Sequence, residues 1–408
     1  MQSGLKILFL STFFPYPLDT GAAIRVNYLL RALAERHTVH LVSFMPRPES
    51  ETFIPTLNEW GIEVEVLRRD PFRRDPVKAI LGHFSLKPRD VIACYSPEMM
   101  ALATEVSRRQ QFDVVIASFT NTAPYALAID ATTKVLEEHN FMTSWMEERY
   151  RTQRAWLPRL ARWITWQKCW RHERWLYPQF DLCSMVSERD RQAVEKAIPE
   201  CKGRVVTVPN GVDIEKNQPE MAEPQPDTLV FNGGLFYEAN LDAMQYFLSA
   251  IMPVLSAARP NLKLKITGRT EVVDLGRLQL NENVILTGYL EDIRPTVAGS
   301  WACVVPLRSG GGSRLKILEA MALGVPVIST SKGAEGLEVT PERDLLIADD
   351  PHAFTRQTLR LLGDPDLRQR LAIQGRTVVE ASYGWDQIAK SFRTLVEAAV
   401  QRRSEASR

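Results

Sequence analysis

The segment Pro306–Thr330, PLRSGGGSRLKILEAMALGVPVIST, gathers the residue types best suited to hold an anion. An apolar run ends at Leu307 and is followed by Gly310, Gly311 and Gly312. Ser313 is of the type that caps a helix, here one expected to begin at Arg314. Glycines let backbone N–H groups approach a ligand closely, and a helix N-terminus carries partial positive charge. Together they make an anion site suited to a diphosphate. Arg314 and Lys316 put full positive charges in the first turn, where the helix dipole disfavours cations. A bound anion removes that conflict. Glu319 stands among Ile317, Leu318, Ala320 and Met321, and a carboxylate there can accept hydrogen bonds from two ribose hydroxyls. The alternative is a solvated loop in which Glu319 pairs with Lys316 or Arg314 on adjacent turns.

Short β-branched runs alternating with helical stretches must position this segment. The first half offers strands at Lys6–Ser11, Val39–Phe44, Glu63–Leu67, Asp113–Ser118, Lys134–Leu136 and Asp181–Val186. The second half offers them at Thr228–Phe231, Leu262–Thr267, Val284–Thr287, Ala302–Leu307, Val325–Thr330 and Leu345–Ala348. Several are continuously apolar, as expected of parallel strands covered on both faces. Helices are expected at Ala22–Arg36, Asn240–Ser256 and Arg314–Leu323. The alternation predicts α/β units. The Pro-rich, apolar-poor stretch Glu215–Asp227 reads as a linker or hinge. The expected domains are residues 1–212 and 213–384, with a last helix, 385–408, able to pack back on the first. Ligands of open parallel sheets bind beyond the carboxyl ends of the strands, so the chemistry is expected there, in a cleft between the two sheets.

Composition narrows the function classes. The 408 residues favour two domains over one. A formal net charge of +1 gives no sign of a nucleic-acid partner. The five cysteines, Cys94, Cys169, Cys183, Cys201 and Cys303, have no CxxC spacing and read as reduced core thiols. The N-terminal run reads as a first strand rather than a signal peptide. No stretch reads as the roughly 18 apolar residues of a membrane span. The protein is therefore expected in the cytoplasm.

The chain resembles glycosyltransferase family 4, which has the GT-B fold of two facing Rossmann-like domains with parallel sheets and an interdomain cleft. The resemblance rests on VTVPNGVD (Val206–Asp213), FNGGLFYEANLDAM (Phe231–Met244), NVILTGYLEDIRP (Asn283–Pro295) and the Pro306–Thr330 segment through AEGL. It implies a retaining, metal-independent enzyme that moves a sugar from a nucleotide-sugar donor to a glycan, lipid-linked or small-molecule acceptor. It also implies that no cofactor is needed, and it puts the acceptor on the side of residues 1–212 and the donor on that of 213–384. The expected donor residues include Gly233, Gly234, Gly288 and Tyr289 beside the 310–319 segment. It also implies work on bacterial polysaccharide or glycolipid. In STFFPYPLDTGAAIRV, Gly21 at the turn and Arg25 in the first turns of the helix match the family's glycine-containing loop, and the resemblance implies that both touch the donor; this is not the GxGxxG of a dinucleotide site. In VLEEHNF, His139 matches a histidine near the reacting sugar; the alternative is a histidine paired with Glu137 or Glu138. Two departures stand out. The family's E-x7-E pair would have Gly311 as its first member, with Glu319 the second. Its usual phosphate cations fall on Gly234 and Ala239, so Arg314 and Lys316 are expected to replace that charge.

Trp156, Trp163, Trp166, Trp170 and Trp175 lie in the Arg-rich stretch 149–175, four of them near one helical face. Packing inside the first domain is expected. The alternative is peripheral contact with an anionic membrane, on its inner face. Asp364-Pro365-Asp366 reads as a turn and cap, not as a metal motif. Two other functions fit the same fold: a nucleotide-sugar epimerase or hydrolase, and a non-catalytic nucleotide-sugar-binding subunit.

Overall fold

The computed structural model describes residues 4–73, 75–270, 273–310 and 314–406. They divide into two compact units. The first comprises Met1–Pro209 and Asp386–Arg408, the second Asn210–Trp385.

The first unit carries a parallel sheet of seven strands in the order β3-β2-β1-β4-β5-β6-β7. These are β1 Lys6–Ser11, β2 Thr38–Phe44, β3 Ile62–Leu67, β4 Phe112–Ser118, β5 Ala131–Glu137, β6 Leu182–Met185 and β7 Val205–Thr207. Helices cover both faces, so Ile7, Leu8, Phe9 and Leu10 of β1 are all fully buried. This is why the strands read as continuous rather than alternating. β7, Val-Val-Thr, is β-branched throughout but only three residues long, and it was not among the expected strands. The helix Gly21–Ala34 follows β1, and Thr20 caps it through the Ala23 N–H. Gly21 thus opens the helix rather than making the turn before it. The last helix, Trp385–Ala406, ties into this unit: Arg393 donates to the Ala32 carbonyl at 2.8 Å, and His37 meets Glu397 at 3.1 Å.

The second unit carries six parallel strands in the order β10-β9-β8-β11-β12-β13. These are β8 Gln225–Asn232, β9 Lys263–Thr267, β10 Val284–Gly288, β11 Ser300–Val305, β12 Val327–Ser329 and β13 Leu346–Ile347. Alternate residues of β8 feed opposite cores: Leu229 and Phe231 on one face, Val230 on the other. Both units are Rossmann-like, with the strand-to-helix order expected from the alternation.

Three expectations are corrected here. Glu215–Asp227 is not the boundary, because the units divide at Pro209 and Asn210 and Gln225 already lies in β8. Arg376 pins the stretch to the second unit through the Asn217 carbonyl at 3.0 Å and the Gln218 side chain at 3.1 Å. The helical run Glu238–Ala258 is long and apolar enough to cross a membrane by length and composition. Leu241, Met244, Phe247, Leu248, Ile251 and Leu255 instead place it in the core of the second unit. Finally, the helix expected from Arg314 begins at Leu315, and Arg314 occupies the cap position in a left-handed conformation, φ 51°. Asp364 caps the helix Pro365–Ser382 through the Leu367 N–H, as its turn-and-cap reading requires.

Candidate active site

In the second unit, four strand ends bring the expected donor residues together. β8 ends at Asn232, whose side-chain amide donates to Glu319 Oε2 at 3.0 Å and to the Lys316 carbonyl at 3.2 Å. Gly233 follows, and a Cβ there would lie 2.8 Å from Lys316 Nζ. The glycine therefore makes room for the ammonium group. Lys316 Nζ donates to Asn240 Oδ1 at 2.7 Å, and the Asn240 amide donates to the Gly234 carbonyl at 2.8 Å. The same ammonium lies 4.1 Å from the centre of the Phe231 ring, a cation–π contact.

β9 ends before Gly268, which has φ 107° and leaves no room for a side chain, because a Cβ would sit 2.6 Å from Gly234 Cα. Its N–H donates to the Gly288 carbonyl, closing the end of β10. Tyr289 beyond it is exposed, with the Arg269 guanidinium 4.8 Å over its ring. β11 leads to Gly310, φ 98°, packed against Ala239 and the Tyr237 hydroxyl. Gly311, Gly312 and Ser313 lie outside the described residues.

Lys316 and Glu319 are half-buried on one face of the helix Leu315–Ala322. Burial pulls the Lys316 ammonium down to about 7, and neighbouring Arg314 adds to that, while Cys303 and Glu319 oppose it. Burial pushes the Glu319 carboxyl up to about 7, against the Asn232 hydrogen bond and the Lys316 charge. Each is held by an asparagine rather than by the other, so the pairing alternative does not describe this site. Arg314, expected to face the anion, is instead turned inward. Its side chain is 4% exposed; one nitrogen donates to the Gly310 carbonyl at 3.0 Å and lies 3.6 Å from Glu335. It braces the loop.

The first unit holds a different constellation. Arg25 is fully buried, its Nε 2.5 Å from Glu137 Oε1 and a terminal nitrogen on the Pro209 carbonyl at 3.0 Å. Enclosure this complete corrects the expectation that Arg25 touches the donor. Ser118 donates to the other Glu137 oxygen at 2.7 Å, and His139 Nε2 lies 3.2 Å from it. Burial by itself would raise the Glu137 carboxyl, but Arg25 and His139 hold it well below the usual carboxylate range. Its neighbour Glu138 points to the other face of the sheet, hydrogen-bonded by Thr120, and burial raises it well above that range. His139 is set by Glu137 and bracketed by Phe13 and Phe119, ring centres 6.1 and 5.3 Å away. Its Nδ1 has no protein partner among the described residues.

Sequence reasoning missed Asn232, Asn240 and Gly268. The first two are polar residues at a strand end and an early helix turn, and Gly268 follows a buried strand directly; that placement was the available signal. Among the described residues no group of His, Cys, Asp and Glu is arranged to hold a metal ion.

Residues 20–216 match Glycosyltransferase Family 4, and residues 226–364 match Glycosyl transferases group 1. One relative is the Corynebacterium glutamicum GDP-mannose-dependent monoacylated alpha-(1-6)-phosphatidylinositol monomannoside mannosyltransferase. It is 29% identical over 216 residues, which span 47% of this chain and 55% of that protein, about half its length. Among solved structures, a sucrose-phosphate synthase from Thermosynechococcus elongatus matches with TM-score 0.71 and 17% identity, over 99% of this chain and 100% of that one. The Anabaena protein HepE in complex with UDP and glucose matches with TM-score 0.63 and 16% identity, over 96% and 99%.

Proposed function

The chain belongs to glycosyltransferase family 4 and has the GT-B fold, and we propose that it transfers a sugar from a nucleotide-sugar donor, bound by its second unit, to a glycan, lipid-linked or small-molecule acceptor. The observation that carries this is the placement of Lys316 against Gly233, with Glu319 held beside it by Asn232. A cation facing the glycine pair at a strand end suits a diphosphate, and a carboxylate three residues on suits a ribose. Glu319 accepts from the ribose hydroxyls. Lys316, with the backbone N–H groups of the glycine loops, holds the diphosphate and stabilises its charge as it leaves.

The reaction follows the family's retaining course. The bond from the sugar's anomeric carbon to the phosphate oxygen breaks, and the acceptor oxygen bonds to that carbon on the same face. The leaving phosphate takes the acceptor's proton. No side chain serves as a covalent nucleophile, and no metal is needed. His139, oriented by Glu137, offers Nδ1 to a substrate hydroxyl. The UDP in the Anabaena structure and the GDP-mannose named for the Corynebacterium relative support a nucleotide sugar and leave two bases to compare. The five cysteines, all single and buried, support the cytoplasmic location.

The test is a thermal-shift screen against UDP- and GDP-sugars, followed by turnover assays with acceptors in chelator. A ligand at about 100 times its Kd adds roughly 2.7 kcal/mol of stability. Transfer in chelator supports the reading. Complete conversion of donor without acceptor would identify an epimerase, and binding without turnover on any acceptor a binding subunit.

A further inference from the structure

The tryptophan-rich helix Trp156–Leu176 was expected to pack inward, and one face of its second half does: Cys169, His172, Glu173 and Leu176 are buried and Trp166 and Trp170 partly so, while Trp175 is exposed. Its first half does not. Trp156, Leu157, Leu160, Trp163 and Ile164 are between 42 and 72% exposed. Their spacing, Trp156, Leu160, Trp163 and Ile164 at i, i+4, i+7 and i+8, puts them on one stripe of the helix. A tryptophan face predicts that something covers it, and among the described residues no other element does.

A second apolar group adjoins it. In the helix Pro76–Phe84, Ile80, Leu81 and Phe84 are 56 to 87% exposed. Lys168 Nζ donates to the Gly82 carbonyl at 3.1 Å, which sets this helix against the middle of the longer one. Ile164 lies one turn before Lys168, and Leu81 flanks Gly82. Monomeric proteins rarely leave so much contiguous apolar surface open unless it is used.

We propose that these two helices form a surface that lies on an anionic lipid bilayer. Charge selects this occupant. The stretch 149–175 carries eight cations and one carboxylate, Glu173. That carboxylate is buried, accepting from the Met142 and Thr143 N–H groups. Two carboxylates, Glu147 and Glu148, stand just before the stretch; both are half-buried, and Glu147 is already paired with Arg151. Arg154, Arg159, Arg171 and Arg174 are exposed along the helix and before it. A second copy of the chain would bring the same positive stretch against itself. Phospholipid phosphates would neutralise it, at about 1 kcal/mol per basic side chain near the surface. Tryptophan has the amphipathic ring that settles at the headgroup level, and an amphipathic helix with Trp and Leu on one face and Arg on the other lies in that plane.

The inference is independent of the donor site and is tested on the full chain by vesicle flotation. The vesicles are phosphatidylcholine alone, or the same with about one-third phosphatidylglycerol. The variants are Leu160→Ser with Trp163→Ser, Ile80→Ser with Phe84→Ser, and Arg154→Gln with Arg171→Gln. All six side chains are exposed, so folding should survive, which an unchanged melting temperature checks. The expected result is binding to the anionic vesicles only, weakened by salt, and at least about tenfold weaker in each double variant. No vesicle binding, equal binding to neutral vesicles, or anionic binding untouched by the variants would each overturn the proposal. So would a dimer in light scattering that the same variants dissolve.

Discussion

The two units treat buried charge in opposite ways. In the first, Arg25 and Glu137 are fully enclosed and bonded to each other, so the charge of each is spent on its partner. In the second, Lys316 and Glu319 lie on one helix face yet are held apart, each by an asparagine, and burial moves both toward neutrality near pH 7. A closed pair is a positioning device: here it orients His139. An open pair retains interaction capacity that a ligand can use. Buried ion pairs are strongly destabilised when one partner is removed, whereas a lysine already strained by burial loses little on neutralisation.

That contrast is broken most severely at Arg25. Replacing it by Met leaves Glu137 buried without its cation and should cost about 3–5 kcal/mol of folding stability. Urea denaturation measures this. A loss below about 1 kcal/mol would mean that Arg25 and Glu137 are not the tight pair described.

The second unit should respond in binding rather than in stability. Lys316→Met should change folding stability by less than about 1 kcal/mol, because the group is already disfavoured as a cation. It should weaken nucleoside diphosphate binding by roughly tenfold to a hundredfold, the worth of a hydrogen bond to a charged group. Glu319→Gln should weaken nucleoside diphosphate and free nucleoside alike. A Glu319 variant that affects only the diphosphate would place the ribose elsewhere.

His139→Ala is expected to lower turnover by about tenfold while leaving donor affinity within about twofold, the worth of one hydrogen bond to a substrate hydroxyl made mainly in the transition state. Equal losses in kcat and in affinity would make His139 a binding residue instead.

The smallest expected effect is the pH dependence. Lys316 titrates near 7 in the free protein, so nucleoside diphosphate affinity should fall as pH rises above about 7, where the free lysine must first regain its proton. Glu319 must be ionised to accept ribose hydroxyls, so free nucleoside affinity should rise as pH climbs through about 7. Parallel profiles for the two ligands would show that one group governs both.

Much of this was legible in the sequence, and the rest was hidden for definite reasons. The strands were readable because both of their faces are covered and their apolar runs are continuous. The 306–330 segment was readable because glycines, cations and a carboxylate fall within a few residues of one another. The partners were not. Glu319 meets Asn232 across 87 positions of chain, and Arg25 meets Glu137 across 112, each by packing of a helix against a strand end that periodicity cannot align. Arg314 and Lys316 looked equivalent in sequence. The left-handed turn at Arg314 sends one inward to Gly310 and leaves the other at the glycine pair. The tryptophan helix shows the converse limit: its pattern revealed an apolar face, but not whether protein covers it.

The central claim is that Lys316 holds the diphosphate while Glu319 holds the ribose. Calorimetric titration of Lys316→Met with UDP, GDP, uridine and guanosine tests it most directly. For whichever base the parent protein binds, the variant should lose roughly tenfold to a hundredfold for the diphosphate and keep the parent's affinity for the nucleoside. Unchanged diphosphate affinity in a folded variant, or an equal loss for nucleoside and diphosphate, would contradict the account.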